Sequence, residues 1–558
     1  MKPENKKQYF HKHLDMEEAS VVGFCNFCRN NLPLVLAVSV TLFFAYGIRL
    51  FCHSIGIDTE LFMADRTGTN QVYIEAGRFG QVLLSNIWRI GEFNPFTGFF
   101  IAFCLIWVFT LSWSYIIAIF GMNTDRNNAL IPFALLFMTV PIWAEQFYFL
   151  PQAAENAFII ALCPYVVYLM YKGFLDNEKG KIIGAVLLLV LMTSVYQAIV
   201  PLFICGVFIC FILLQEHSNY ELKIYRNLCL KLFTALVAAM TIYFVVGMII
   251  VPTALNIERG AYLDGMNRWG RQPLGENIRN ILAFGYAITI GHIPFVHEVL
   301  TTRLADFGPT LHRVNPAQPP MVAARTLFLL PVAVFFLVKV IAFMRKEIPS
   351  GRKFLFILAS IGIPLSIAFL AILGGNVPPS RSLYSLPLAY AFMFFYLIKS
   401  SKRPTAVVLA CFALFGTVYQ AQTTAQLFYS DRVRFNEDVR IAHELNNLIM
   451  QVQPSGEKLP VALVGRYGVA TRFHEDSNFL QGQAIGHSFF DGDGPHLFAP
   501  TKRALIFMST LGIFFEMPTR DQLVSAHEEA KLMPSFPALG SVKRTQDFIV
   551  VRLSYFHN

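Results

Sequence analysis

Long apolar runs recur along most of this chain, at Pro33–Cys52, Phe96–Phe120, Leu130–Trp143, Ala157–Tyr171, Ile182–Tyr196, Ile199–Leu214, Leu232–Val251, Val322–Phe343, Phe354–Leu373, Leu383–Ile398 and Thr405–Ala421. At about 1.5 Å per helical residue, the first of them reaches across a bilayer core of about 30 Å. Backbone groups in hydrocarbon must pair within their own segment, so runs of this length are read as helices. The composition agrees: 55% of the 558 residues are hydrophobic, 14% aromatic and 15% charged. The expected fold is an all-α polytopic membrane protein with about eleven transmembrane helices. A net charge of +9 does not imply nucleic acid here. Lys and Arg lie in short connections between the runs and not on one soluble face.

Basic connections orient such a chain, because Lys and Arg accumulate in cytoplasmic loops. Tyr171–Lys181, Gln215–Lys231, Arg345–Lys353 and Lys399–Arg403 are dense in them. Gly121–Ala129 follows to the inside by parity, although it holds only Arg126. The N-terminal segment 1–31 mixes Lys6, Lys7 and Lys12 with Asp15, Glu17 and Glu18 and is expected at the cytoplasmic surface, near anionic lipids. No small-residue cleavage site follows the first run, so that run is expected to stay. By parity the outward parts are the loop after the first span, Ala144–Asn156, the Thr193–Ala198 turn, Pro252–Met321, the Gly374–Ser382 turn and everything beyond Thr423. The N-terminus is therefore expected inside and the C-terminus outside.

From about Leu427 the apolar runs give way to mixed sequence. A helical stretch carries Val433, Leu445 and Leu448, a strand-like run follows at Val461–Val464, a polar helix at Gln522–Lys531 and a strand at Phe548–Leu553. Residues 32–426 are therefore expected to form the transmembrane domain, and 427–558 a small extracytoplasmic α/β domain. The last of nine cysteines is Cys411, which leaves no disulfide framework for that domain. Cys25 and Cys28 have metal-like spacing but no second pair beside them, and are read as structural.

Carboxylates and guanidinium groups gather in the outward connections. The loop after the first span holds Asp58, Glu60, Asp65, Arg66, Glu75, Arg78, Arg89 and Glu92. Within it Phe79, Val82, Leu83 and Ile87 mark one face of an interfacial helix. A carboxylate at such a mouth can take a proton from an attacking hydroxyl while nearby cations stabilise a leaving phosphate. Arg381 is the one cation of the Gly374–Ser382 turn, placed for two-point phosphate binding or for anchoring at the interface. Trp143-Ala144-Glu145-Gln146-Phe147-Tyr148, with Glu155, combines acids and aromatics in a way that suits a sugar or an aromatic belt. Pro252–Met321 carries Glu258, Arg259, Asp264, Arg268, Trp269 and Arg271, then His292 and His297, whose spacing of five disfavours a helical metal pair.

Tyr46-Gly47, Ile57-Asp58-Thr59-Glu60 and Gly77-Arg78-Phe79-Gly80, on a multi-span chain, resemble the serotype-converting glucosyltransferases of bacteria and their phages, members of the GT-C superfamily. The resemblance covers about Leu32 to Ala421. It implies a GT-C-like catalytic domain that moves glucose or a related hexose from an undecaprenyl-phosphate-linked donor to a lipid-linked glycan acceptor, O-antigen or another surface glycan. The family's acidic pair falls on Asp58 and Glu60, with Asp58 the expected base and Glu60 the alternate. Arg66, Arg78, Glu145 and Arg381 are the expected substrate-binding residues. No cofactor is implied, and the need for a divalent ion stays open. A lipid-linked sugar transporter or flippase is the main alternative, although no two related halves are visible. An O-antigen ligase or polymerase is the second, since Arg381 and the long outward loop suit either.

Overall fold

The computed structural model describes residues 19–88, 93–121, 129–218, 220–257, 267–290, 326, 329–345, 347–453, 458–467, 480, 482–491 and 499–553. Lys6, Lys7, Lys12, Asp15, Glu17, Glu18, Arg89, Glu92, Arg126, Glu258, Arg259, Asp264, His292 and His297 lie outside the described residues.

Each apolar run has a helix. Seven of these helices, among the described residues, are long and apolar enough to cross a membrane: Leu32–Phe51, Pro95–Gly121, Leu150–Asp176, Ile199–His217, Leu222–Leu255, Ser350–Gly374 and Arg403–Val452. The protein is a membrane protein, mostly helical. Leu130–Thr139 and Ile142–Tyr148 make an eighth span if taken together, bent by 49°. Pro141 lies at the bend, where its missing N–H cannot continue the ladder. Lys179–Val195, Leu329–Met344 and Ser385–Ser400 have 17, 16 and 16 residues. Over the described residues these are about 24–26 Å long, shorter than a bilayer core of about 30 Å.

Ser385–Ser400 is buried from Ser385 to Ile398, and Leu130–Thr139 is buried at nearly every position. Helices that are apolar all round belong in an interior, and these two form the middle of the bundle. Leu222–Val245, Leu329–Met344 and Ser350–Gly374 instead leave Leu230, Phe233, Phe335, Ile341, Phe354 and Leu365 exposed, as lipid-facing helices do. The motif helix Phe79–Trp88 has the amphipathic form expected of it. Leu83 and Ile87 are exposed while Gly80, Gln81, Leu84 and Ser85 are buried. Gly80 meets Ser194 and Leu191 so closely that any side chain there would displace the Lys179–Val195 helix.

Arg403–Val452 is one helix of 50 residues, unbroken through Ala421 and Leu427, so the change of composition there is not a change of backbone. Its apolar half docks through Thr424, which donates to the Thr139 carbonyl at 3.1 Å. Its charged half carries the chain to a three-stranded sheet of β1 (Val461–Val464), β2 (Val542–Arg544) and β3 (Ile549–Arg552), in the order β1-β3-β2. β3 runs parallel to β1 and antiparallel to β2. Helices Ala499–Thr510 and Arg520–Ala530 pack beside it, the second opened by a Thr519/Gln522 capping box.

Candidate active site

The acidic motif lies where the first long helix ends. After Cys52 the chain passes through an irregular loop and re-enters a short helix, Thr59–Ala64. The loop is held along its length. Arg434 Nη2 donates to the Ile55 carbonyl at 2.9 Å, Arg432 donates to the His53 carbonyl, and the Ile57 N–H donates to Tyr148 Oη at 3.0 Å. Ser54 donates to Asp431 at 2.6 Å, and Arg49 pairs with the same carboxylate at 3.1 Å. Asp431, Arg434 and Asp438 follow one another on one face of the long helix. Arg434, wholly buried, bridges the two acids, and Asp438 in turn accepts from the Phe489 N–H at 3.2 Å.

This clamping explains the backbone of Asp58, which has φ 70°, ψ −17°. The left-handed region costs a residue with a side chain on the order of 1 kcal/mol, and Asp tolerates it better than most. Although Asp58 sits at the cap position of Thr59–Ala64, its carboxylate does not cap that helix. It pairs with Arg503 Nη2 at 3.3 Å, while Arg503 Nη1 donates to Glu60. One guanidinium therefore spans both motif acids. They differ in environment: the Asp58 side chain is 46% exposed and that of Glu60 is 0% exposed. Burial pushes the Glu60 carboxyl up to about 7; Arg503 opposes the shift and Asp58 adds to it. The second Glu60 oxygen is buried with no hydrogen-bond partner among the described residues.

Glu145 lies on Ile142–Tyr148, all of whose residues are buried. Its aromatics pack on the bundle. Trp143 stacks on Phe147 at 6.0 Å and tilts against Phe109 and Tyr384, both at 5.4 Å. The Glu145 carboxylate accepts from the Gln483 N–H and, at 3.1 Å, from the Ala484 N–H. Gly482 is required there, because a side chain on it would overlap Glu145. The Gln483 side chain turns the other way and accepts from the Ser380 N–H at 2.8 Å. Glu145 and the Arg381 turn are thus tied together by one C-terminal loop.

Arg381 stacks over the Phe149 ring at 4.6 Å, and Tyr148, the adjacent residue, holds the Asp58 loop, so the two motifs meet across consecutive residues. Arg78 stacks over Tyr196 at 4.6 Å and donates to Gln197 at 3.2 Å. Tyr196 in turn lies 5.6 Å from Tyr384, whose buried hydroxyl has no partner among the described residues and feels both Arg78 and Arg381. Arg66 takes another direction, donating to Asn86 on Phe79–Trp88 at 2.9 Å. The long connection approaches the same end: the Arg268 N–H donates to the Gly374 carbonyl at 2.8 Å, and Trp269 to that of Ile372 at 2.9 Å. Among the described residues no group of three His, Cys, Asp or Glu is arranged to hold a metal ion.

Arg503, Gln483 and Arg434 escape a reading of the sequence. The available signals were an arginine inside the apolar stretch of Ala499–Thr510 and the helical spacing of Asp431, Arg434 and Asp438, which puts charge on an inward face. No curated protein and no solved structure matches this chain. The acidic loop, Arg78, Glu145 and Arg381 all fall within residues 47–398, which match the family model described as Glucosyl transferase GtrII, and the chain therefore belongs to that family of glucosyl transferases.

Proposed function

We propose that this glycosyltransferase moves glucose, or a related hexose, from an undecaprenyl-phosphate donor to O-antigen or another surface glycan, with inversion at the anomeric carbon. The Asp58 end of the bundle then faces outward, in keeping with the alternation of basic loops. In this reading the Asp58 carboxylate takes the proton of an acceptor hydroxyl as its oxygen attacks the anomeric carbon. The bond from that carbon to the phosphate oxygen breaks on the opposite face, and its electron pair leaves with the polyprenyl phosphate. Arg78 and Arg381 balance the charge that develops on the phosphate.

The observation that carries this reading is the difference between the carboxylates. Asp58 is half exposed, whereas Glu60 and Glu145 are buried. A base must reach an incoming hydroxyl, and Asp58 can. Membership of the family supports glucosyl transfer, and the membrane bundle supports a lipid-borne donor. Mass and linkage analysis of the surface glycan, with and without this protein, tests the proposal. One added hexose that depends on the cell's supply of undecaprenyl-phosphate glucose is expected; an unchanged glycan would overturn it.

A further inference from the structure

The stretch that matches the family ends at residue 398, yet a side chain far beyond it lies on the acidic motif. Arg503 belongs to Ala499–Thr510, whose Ala504, Leu505, Phe507 and Met508 are buried. Phe507 stacks on Phe489 at 4.2 Å, and Thr501 ties the helix to β1 by exchanging hydrogen bonds with Leu463 at 3.0 and 2.8 Å. The helix packs on Thr59–Ala64 and holds the Arg503 side chain at 9% exposure. The guanidinium is therefore fixed from the C-terminal side. Asp58, in contrast, stands on a strained loop residue with a half-exposed carboxylate that does not cap its own helix.

We propose that Arg503 is a positioning residue of the transfer, its two terminal nitrogens fixing the Asp58 carboxylate against the buried Glu60. The C-terminal segment thereby completes a site whose reacting groups lie in the family-matched part. This rests on the reading of Asp58 as base. A planar fork with two terminal donors can hold two carboxylates in one geometry, whereas a lysine ammonium is a point charge on a flexible stem. The charged groups that face Glu60 are Asp58 on the loop, Arg503 on Ala499–Thr510 and Arg434 on the long helix. The rival role, neutralising Glu60 alone, predicts a different response to substitution.

The experiment is a double-mutant cycle on membrane-embedded protein, following transfer from undecaprenyl-phosphate glucose in vesicles that carry the acceptor glycan. Arg503→Gln is made in the native chain and in a Glu60→Gln chain, where no buried carboxylate is left uncompensated. Misplacing a reacting group by about 1 Å costs on the order of a hundredfold in rate, so kcat should fall by roughly ten- to a hundredfold in both backgrounds, with donor KM unchanged. Arg503→Lys should restore part of the loss. If Arg503→Gln leaves kcat unchanged in the Glu60→Gln chain, Arg503 only neutralises Glu60 and the proposal fails. A raised donor KM at unchanged kcat would also overturn it, by placing Arg503 on the donor. Asp58→Asn measured alongside separates the two claims: normal turnover there removes the base reading, while an inactive Asp58→Asn beside a fully active Arg503→Gln removes only the role of Arg503.

Discussion

Glu60→Gln should make the protein more stable than the native chain above neutral pH and no more stable in acid. Burial raises the Glu60 carboxyl from 4.5 to about 7 even though Arg503 works against the shift. An acid whose folded pKa is raised binds its proton more tightly when folded. That contribution to stability is fully present below about 4.5 and is lost as pH rises through about 7. A rise of this size corresponds to roughly 3 kcal/mol at about 1.4 kcal/mol per unit. Gln has nearly the same shape, does not titrate, and keeps an acceptor for Arg503. The assay is chemical unfolding of both proteins in mixed micelles from acid to alkaline pH, read as the difference between them. The difference should grow in favour of Glu60→Gln between pH 4.5 and 7 and then level off. A difference that is flat across the range would refute a buried, destabilised carboxylate at this position.

Arg434→Met leaves the buried Asp431 and Asp438 without their shared partner and should lower stability by about 3–5 kcal/mol; a loss below about 1 kcal/mol in the same unfolding assay would contradict the network as drawn. Arg381→Lys keeps the charge but loses the fork, so donor KM should rise roughly tenfold while the fold is kept. Unchanged donor binding by Arg381→Ala would make this residue an anchor on Phe149 and no more. Reporters fused after Ser401 and after Gln453, at either end of the long helix, should read cytoplasmic and extracytoplasmic, and the same side for both would contradict the proposed orientation.

The helical bundle was legible because hydrocarbon leaves the backbone few options, so length and apolarity alone identify helices. Span number was less so. Ser385–Ser400 and Leu130–Thr139 are more apolar than some of the long spans, yet they lie enclosed in the bundle, and apolarity cannot tell lipid from protein as a neighbour. The strands at Val461–Val464 and Ile549–Arg552 were visible as short apolar runs, but the helix joining Thr405–Ala421 to Val433–Leu448 was not, since its face changes character without a break. At the site, the local motif around Asp58 and Glu60 could be read, whereas its partners could not. Arg503 is separated from Glu60 by 443 positions and Gln483 from Glu145 by 338, and pairing at such distances leaves no local pattern. Acids and rings alternate around Glu145 as they do at a surface, and the burial of the whole segment depends on packing against distant parts of the bundle that leaves no local pattern.

Single-turnover transfer from undecaprenyl-phosphate glucose by Asp58→Asn decides the claim that Asp58 is the base of the transfer. Losing a positioned base costs about a hundred- to ten-thousand-fold in rate, whereas a surface carboxylate can be replaced with little effect. The variant should insert and fold as the native protein does, bind the donor, and transfer glucose slower by at least about a hundredfold, with Glu60→Gln less severely impaired. Near-native transfer by folded Asp58→Asn would contradict the claim.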